Sequence, residues 1–275
     1  MAKAYNRAKK SLGQNFLIDG GVIARIITAS GVRTHPEETV LEIGPGRGAM
    51  TRGLVEASRR FVAIEKDDAL AAKLQDEFAG RDDVVVLNGD ALTLRPEELP
   101  FGPPFRIVAN LPYNVGGRIT MHLLEEWGSN VSEMTLMFQR EVANRLTSQP
   151  SDGSFGALSV LVQSFCEAWL LFGVPPGAFR PVPKVQSAIV RLRRRPVPLH
   201  DGIPYKHFNK LVHGAFASRR KTLLNGLSIA PGLPSDSTFW RSLLEDAGVD
   251  PGLRPDAVPV EGFIEIAKRL LTSTN

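Results

Sequence analysis

Residues 110–113 read Asn-Leu-Pro-Tyr and follow directly on an apolar run, Phe105-Arg106-Ile107-Val108-Ala109. A side-chain amide, two backbone carbonyls and an aromatic ring at the end of a strand can hold a flat molecule and work on its exocyclic amine. Such an amine, that of adenine for example, is a poor nucleophile because its nitrogen lone pair is delocalised into the ring. If its hydrogens are held by the Asn110 side-chain oxygen and by the carbonyl of Leu111 or Pro112, the nitrogen is drawn toward tetrahedral geometry as it attacks. Those hydrogen bonds strengthen as positive charge develops, so they stabilise the transition state more than the ground state. Pro112 supplies a carbonyl without a donor and stiffens the turn. Tyr113 offers a ring for base stacking, worth about 1–3 kcal/mol. No strong general base is required, because the alkylated amine is acidic enough to lose its proton to water. An isolated tetrapeptide of this kind can equally be a helix cap with a core tyrosine, so the residues before it matter.

The electrophile is indicated by three earlier features. Gly44, Gly46 and Gly48 lie between a strand-like run and a helical pattern in "TVLEIGPGRGAMT", where glycine lets the backbone turn tightly against a ligand. Glu65 closes the next strand-like run, where a carboxylate can accept both hydroxyls of a ribose diol. Asp90, in "NGDAL", follows the third run and can accept from an adenine amino group, although a loop or cap aspartate reads the same way. Dinucleotides and S-adenosylmethionine both present such a diol. Pro45 removes a backbone N–H from the loop, a poor choice for cradling pyrophosphate and no loss for S-adenosylmethionine. The tetrad has no use in a dinucleotide enzyme. S-adenosyl-L-methionine is therefore the expected cofactor.

These residues need a scaffold that brings strand ends together. From about residue 39 to 140 β-branched runs at 39–43, 61–65, 84–88, 105–109 and 134–139 alternate with helical periodicity, which predicts a parallel sheet with helices on both faces. A helix is expected over 21–30 with Asp19 near its start, and a strand over 187–193. The proline-rich 197–204 reads as a linker, and the pattern beyond it is helical only. The expected organisation is an α/β domain over 1–196 with a basic N-terminal segment and a helical domain over 205–275.

Charge is unevenly placed. Residues 168–235 hold eleven Lys or Arg and one acid, a net +10 in a chain whose total is +4, so the remainder carries −6. The first eighteen residues add Lys3, Arg7, Lys9 and Lys10 without an acid. Concentrated positive charge on a nearly neutral chain favours a polyanion partner. One cysteine, Cys166, excludes an internal disulfide, and five scattered histidines lack ligand spacing, so no metal is expected. Neither a signal peptide nor a run of ~18 apolar residues is present, which makes a cytoplasmic protein with no membrane partner the expectation.

Eight ordered segments, "LGQNFL" (12–17), "VLEIGPGRGAMT" (40–51), "VAIEKD" (62–67), "NGDAL" (88–92), "NLPY" (110–113), "FQREVANRL" (138–146), "VPPGAFRPVPKVQSAIVRL" (174–192) and "AFASRRKTLLNGL" (215–227), closely resemble the ribosomal RNA adenine N6-dimethyltransferases of the KsgA type. The resemblance implies a Rossmann-like methyltransferase domain with a mostly parallel seven-stranded sheet and a small all-helical C-terminal domain. It implies dimethylation of two adjacent adenosines in the 3′-terminal hairpin loop of small-subunit rRNA, by a monomer acting on the 30S subunit or its precursor during ribosome biogenesis. The family's cofactor residues fall here on Asn15, Leu17, Gly44, Glu65, Asp90 and Asn110, with Gly46 in the same loop. Its target-base residues fall on Asn110, Leu111, Pro112 and Tyr113, with Phe179 as a second stacking ring on a proline-stiffened, exposed loop. Arg219, Arg220 and Lys221, on an expected helix, would contact phosphates. Two departures stand out: Gly116-Gly117-Arg118 follows the tetrad where many members carry hydroxyl residues, and Gln186 stands where an aspartate is common. The resistance-type enzyme that dimethylates large-subunit rRNA is the nearest alternative. An RNA-binding assembly factor on the same fold and a dinucleotide oxidoreductase are the others.

Overall fold

The computed structural model describes residues 14–218 and 220–273. Two compact units make up the chain: one takes in the residues up to Ala143 together with Trp169–Arg194, the other Asn144–Ala168 and Arg195 onward.

In chain order, β1 (Phe16–Leu17) leads into α1 (Gly20–Ala29). The Asp19 carboxylate accepts from Val22 N at 3.0 Å and so satisfies one of the donors a helix start leaves open. There follow β2 (Thr39–Ile43), α2 (Thr51–Ala57), β3 (Phe61–Glu65), α3 (Asp68–Glu77), β4 (Val84–Asn88), β5 (Phe105–Asn110), α4 (Gly116–Glu125) and β6 (Val131–Gln139). After α5 (Arg140–Thr147) and α6 (Ala157–Phe165), the chain returns to strand as β7 (Cys166–Val174), β8 (Phe179–Arg180) and β9 (Ser187–Arg194).

Seven strands form one sheet in the order β4-β3-β2-β5-β6-β9-β7. β4, β3, β2, β5 and β6 run parallel, and β9 is antiparallel to β6. Strand order reverses between β2 and β5, the place where open α/β sheets leave a crevice at their carboxyl ends. All five residues of β2 and of β3 are buried, as expected of parallel strands covered on both faces. β1 pairs apart from this sheet, antiparallel to β8. The paired short strands β1 and β8 were not expected, and two strands of the large sheet also differ from expectation. β6 begins at Val131 instead of 134, and β7, an edge strand with half-buried positions, shows no alternation and was not expected.

Arg106 places a charge inside this sheet. It donates to the Glu38 carboxylate through Nε, and through Nη1 to Ser30 O at 2.8 Å and Glu133 Oε1 at 2.7 Å. Glu133 also meets Arg193 at 3.2 Å. Removing one member of a buried, paired set leaves an uncompensated charge, so Glu133→Ala is expected to destabilise the fold by about 3–5 kcal/mol. Urea denaturation would check this; a loss under about 1 kcal/mol would put the network on a par with a surface ion pair.

In the second unit, α6 packs on α7 (Tyr205–Phe216) and α10 (Val260–Ser273), with α8 (Leu223–Leu227) between α7 and α9 (Ser237–Asp246) in the chain of helix contacts. Phe208, Leu211, Val212 and Ala215 of α7, and Phe263, Ile264, Ile266 and Ala267 of α10, are buried at helical spacing. Phe216 stacks on Phe263 at 5.6 Å between ring centroids. The proline-rich stretch expected as a linker is fastened to this unit: Leu199 N donates to Ser164 O at 2.8 Å, and the buried His200 stacks on Phe208. Among the described residues no helix is long and apolar enough to cross a membrane. Among them, too, no group of three or more His, Cys, Asp or Glu could hold a metal ion.

Candidate functional site

The carboxyl ends of β2, β3, β4 and β5 open onto one cleft. Its walls include Asn15 and Leu17 beside β1, Gly44 and Gly46 after β2, Glu65 at the end of β3, Asp90 after β4, and Asn110, Leu111, Pro112 and Tyr113 at the end of β5. Ten residues singled out from the sequence thus meet in one place, although 98 residues separate the first from the last.

The glycine loop is built to hold a carboxylate. Gly44 and Gly46 have φ of 68° and 59°, the left-handed region that favours glycine. A Cβ on Gly46 would lie 3.2 Å from the Phe16 ring, which also carries the Arg47 guanidinium at 4.2 Å. Gly46 N donates to Glu65 Oε2 at 2.8 Å, and Asp67 N donates to Oε1 at 2.8 Å. Gly44 N donates to Ile64 O at 2.9 Å and Gly48 N to Pro45 O at 3.0 Å. The three glycine N–H groups are therefore spent inside the protein, and Pro45 has none. A pyrophosphate would find no cradle here. Glu65 is held in place by backbone N–H groups of Gly46, Lys66 and Asp67, and a carboxylate so fixed suits a vicinal diol. Burial pushes its pKa up while the backbone N–H groups pull it down. Asp90 accepts from Lys66 Nζ at 2.7 Å and from Leu92 N at 3.0 Å. The lysine first, and then the N–H, hold its carboxyl below the usual range, so it is an ionised acceptor at neutral pH. These acceptors and the glycine turn beside them fit the nucleoside of S-adenosylmethionine.

At the tetrad the structure separates two candidates that the sequence leaves equal. Pro112 O accepts from Val115 N at 3.1 Å and Gly116 N at 3.0 Å, both at the start of α4, so its two lone pairs are used. Leu111 O receives neither of these helix-start N–H groups. Asn110 donates its amide N–H to Asn15 O at 3.1 Å, which leaves the side-chain oxygen as acceptor. Half-buried Tyr113 is tied through its hydroxyl to Ser187 Oγ at 2.7 Å. Burial raises the Tyr113 pKa, against the Ser187 hydrogen bond, so the ring stays neutral. Gly116, one of the departures, packs edge-on to the tetrad: a Cβ there would lie 3.2 Å from the Phe138 ring and 3.4 Å from Leu111 Cβ. Nothing in the structure explains Gln186, whose side chain is exposed and whose backbone carbonyl accepts from Arg140 N.

Two expectations need correction. Phe179 is not an exposed ring on the rim: it is fully buried, in β8 opposite Leu17, within the apolar cluster that includes Val174 and Ala178. The pairing of β1 with β8 turns the ring inward, and it does not reach the cleft surface. Arg220 and Lys221 are exposed, but they lie in the turn between α7 and α8 instead of on a helix, because α7 ends at Phe216 and Thr222 caps α8. Arg219 lies outside the described residues.

One residue of the cleft escaped the sequence reading. Glu42 is the fourth residue of β2, fully buried against the cleft, with Oε2 accepting from Thr51 Oγ1 at 2.7 Å and Oε1 without a partner among the described residues. Desolvation pushes its pKa up to about 8, opposed by Thr51 and helped by the Glu65 charge. A lone acid in an otherwise apolar five-residue strand was the available signal.

A family model described as ribosomal RNA adenine dimethylase matches residues 5–268. A ribosomal RNA small subunit methyltransferase A from Pseudomonas fluorescens is 41% identical over 266 residues, covering 96% of this chain and 94% of its own length. The protein of that name from Pseudomonas aeruginosa is 40% identical, covering 98% and 97%. Among solved structures, the 23S rRNA methyltransferase ErmE superposes with a TM-score of 0.70 at 32% identity, covering 93% of this chain and 99% of its own. A dimethyladenosine transferase from Plasmodium falciparum superposes at 0.77 with 22% identity, covering 94% and 98%, a likeness of fold.

Proposed function

Because the chain belongs to the ribosomal RNA adenine dimethylase family, we propose that it dimethylates N6 of two adjacent adenosines in the 3′-terminal hairpin loop of small-subunit rRNA. The observation that carries this reading is the meeting of Glu65, Asp90 and the tetrad in one cleft, around a glycine loop whose N–H groups are turned inward. S-adenosylmethionine supplies an electrophilic methyl group. Glu65 accepts the two ribose hydroxyls, Asp90 accepts from the adenine amino group, and Asn15, Leu17, Gly44 and Gly46 wall the nucleoside. Asn110 Oδ1 and Leu111 O hold the two hydrogens of the target amine, and Pro112 fixes the direction of that carbonyl by starting α4. Tyr113 stacks on the extruded base, its tilt set by Ser187. Phe179 supports Leu17 from behind. As the N6–methyl bond formed, the donor's sulfur–methyl bond would break and leave S-adenosylhomocysteine, while positive charge growing on nitrogen would tighten both acceptors; the proton would then leave to water, and after exchange of the spent donor the remaining N–H could be held for a second transfer.

The helical domain, 205–275, would bind rRNA, with Arg219, Arg220 and Lys221 on phosphates, while 1–196 carries the chemistry. The enzyme would act as a monomer in the cytoplasm on the 30S subunit or its precursor. The 32% identity to ErmE keeps a large-subunit target as the second reading. Transfer of labelled methyl to separated subunits from cells lacking the modification tests both. Dimethyladenosine in small-subunit RNA is the expected result. Label in large-subunit RNA would favour the second reading, and label in neither would point to an assembly factor.

A further inference from the structure

We propose that Glu42 is a proton-linked counter-ion for the cationic end of the methyl donor: neutral in the free protein, it ionises when the donor docks. In that step the O–H bond on Oε1 breaks, the proton passes to bulk buffer, and the carboxylate remains opposite the ligand's positive charge. The proposal rests on the cofactor reading above.

Three observations support it. Glu42 is fully buried, yet its side chain lies against the cleft that holds Glu65 and Asp90. Among the described residues its Oε1 has no hydrogen-bond partner, whereas Thr51 already donates to Oε2, so the proton resides on the unsatisfied oxygen. Its surroundings favour the neutral form. The residues across from it on the neighbouring strands are Ala63 and Val108, and Thr51 faces it from α2. The charged groups that share the cleft are Glu65, Lys66, Asp90 and Arg47. Lys66 is committed to Asp90, and the nearby Glu65 charge acts on Glu42 in the same direction as desolvation. A buried carboxyl with no cation of its own is the group whose ionisation a cationic ligand will change most, because a charge across a dry wall is poorly screened.

The sign follows from linkage. The free protein keeps the Glu42 proton below about pH 8. A ligand cation lowers that pKa, so between the two values binding expels a proton. At about pH 6.5 the ligand's own ammonium is charged, since α-amino groups titrate near 7.7–8.0.

The test is calorimetry of S-adenosylmethionine and of S-adenosylhomocysteine binding to the full chain at that pH, in two buffers of different ionisation enthalpy. The expected result is release of a substantial fraction of one proton per S-adenosylmethionine bound, and none with Glu42→Gln, which keeps the shape of the neutral acid. Release with both ligands would assign the ammonium as the partner, and release with S-adenosylmethionine alone would assign the sulfonium. Binding of both without buffer dependence would overturn the proposal and leave the cofactor reading intact. Absence of binding would overturn both together.

Discussion

Asn110→Ala slows methyl transfer by about a hundred- to a thousandfold, on the expectation that its side-chain oxygen acts as a preorganised acceptor for the charge that develops on nitrogen. The same substitution removes the hydrogen bond to Asn15 O, a contact worth about 0.5–1.5 kcal/mol, so cofactor affinity falls by about tenfold at most. The two effects separate in a single-turnover rate at saturating cofactor and a calorimetric dissociation constant. A rate within tenfold of wild type would mean that Leu111 O alone activates the amine. A large loss of cofactor binding with an unchanged saturated rate would make Asn110 a wall of the nucleoside site and nothing more.

Phe179 provides the second large effect, and its sign distinguishes two roles. Fully buried between β1 and the apolar cluster, it should behave as core. Phe179→Ala is then expected to destabilise the protein by about 3–5 kcal/mol, read as a fall in the urea midpoint. Phe179→Leu refills most of the volume and should keep both stability and methyl transfer close to wild type. A stacking ring would reverse the pattern. Substitution by leucine would leave stability untouched and raise KM for the RNA, because a base loses its aromatic face.

How far the residues disclosed the molecule depends on the range of the interaction. β2 and β3 were legible because a parallel strand buried on both faces needs a largely apolar run, and that need is local. Glu65 and Asp90 were legible because each sits at the carboxyl end of such a run, where an open α/β sheet makes its crevice. Leu111 and Pro112 were equal in sequence, and only the hydrogen bonds that begin α4 separate them. The depth of Phe179 is set by a partner strand more than 160 residues earlier, which no window around "AFRPVPKV" can reveal. Glu42 was hidden by its company: one acid beside aliphatic residues reads as noise until its burial and its unpartnered oxygen among the described residues are seen.

The parallel pairing of β2 with β5 has a last consequence. Ile43 lies opposite Ala109, so the glycine loop and Asn110 leave the sheet from adjacent strands at the same level. Neighbouring strands are held about 4.8 Å apart by their hydrogen-bond ladder. The spacing of the two segments that begin the glycine loop and the tetrad is thus gauged by backbone, and the side chains they carry start from fixed points on the sheet.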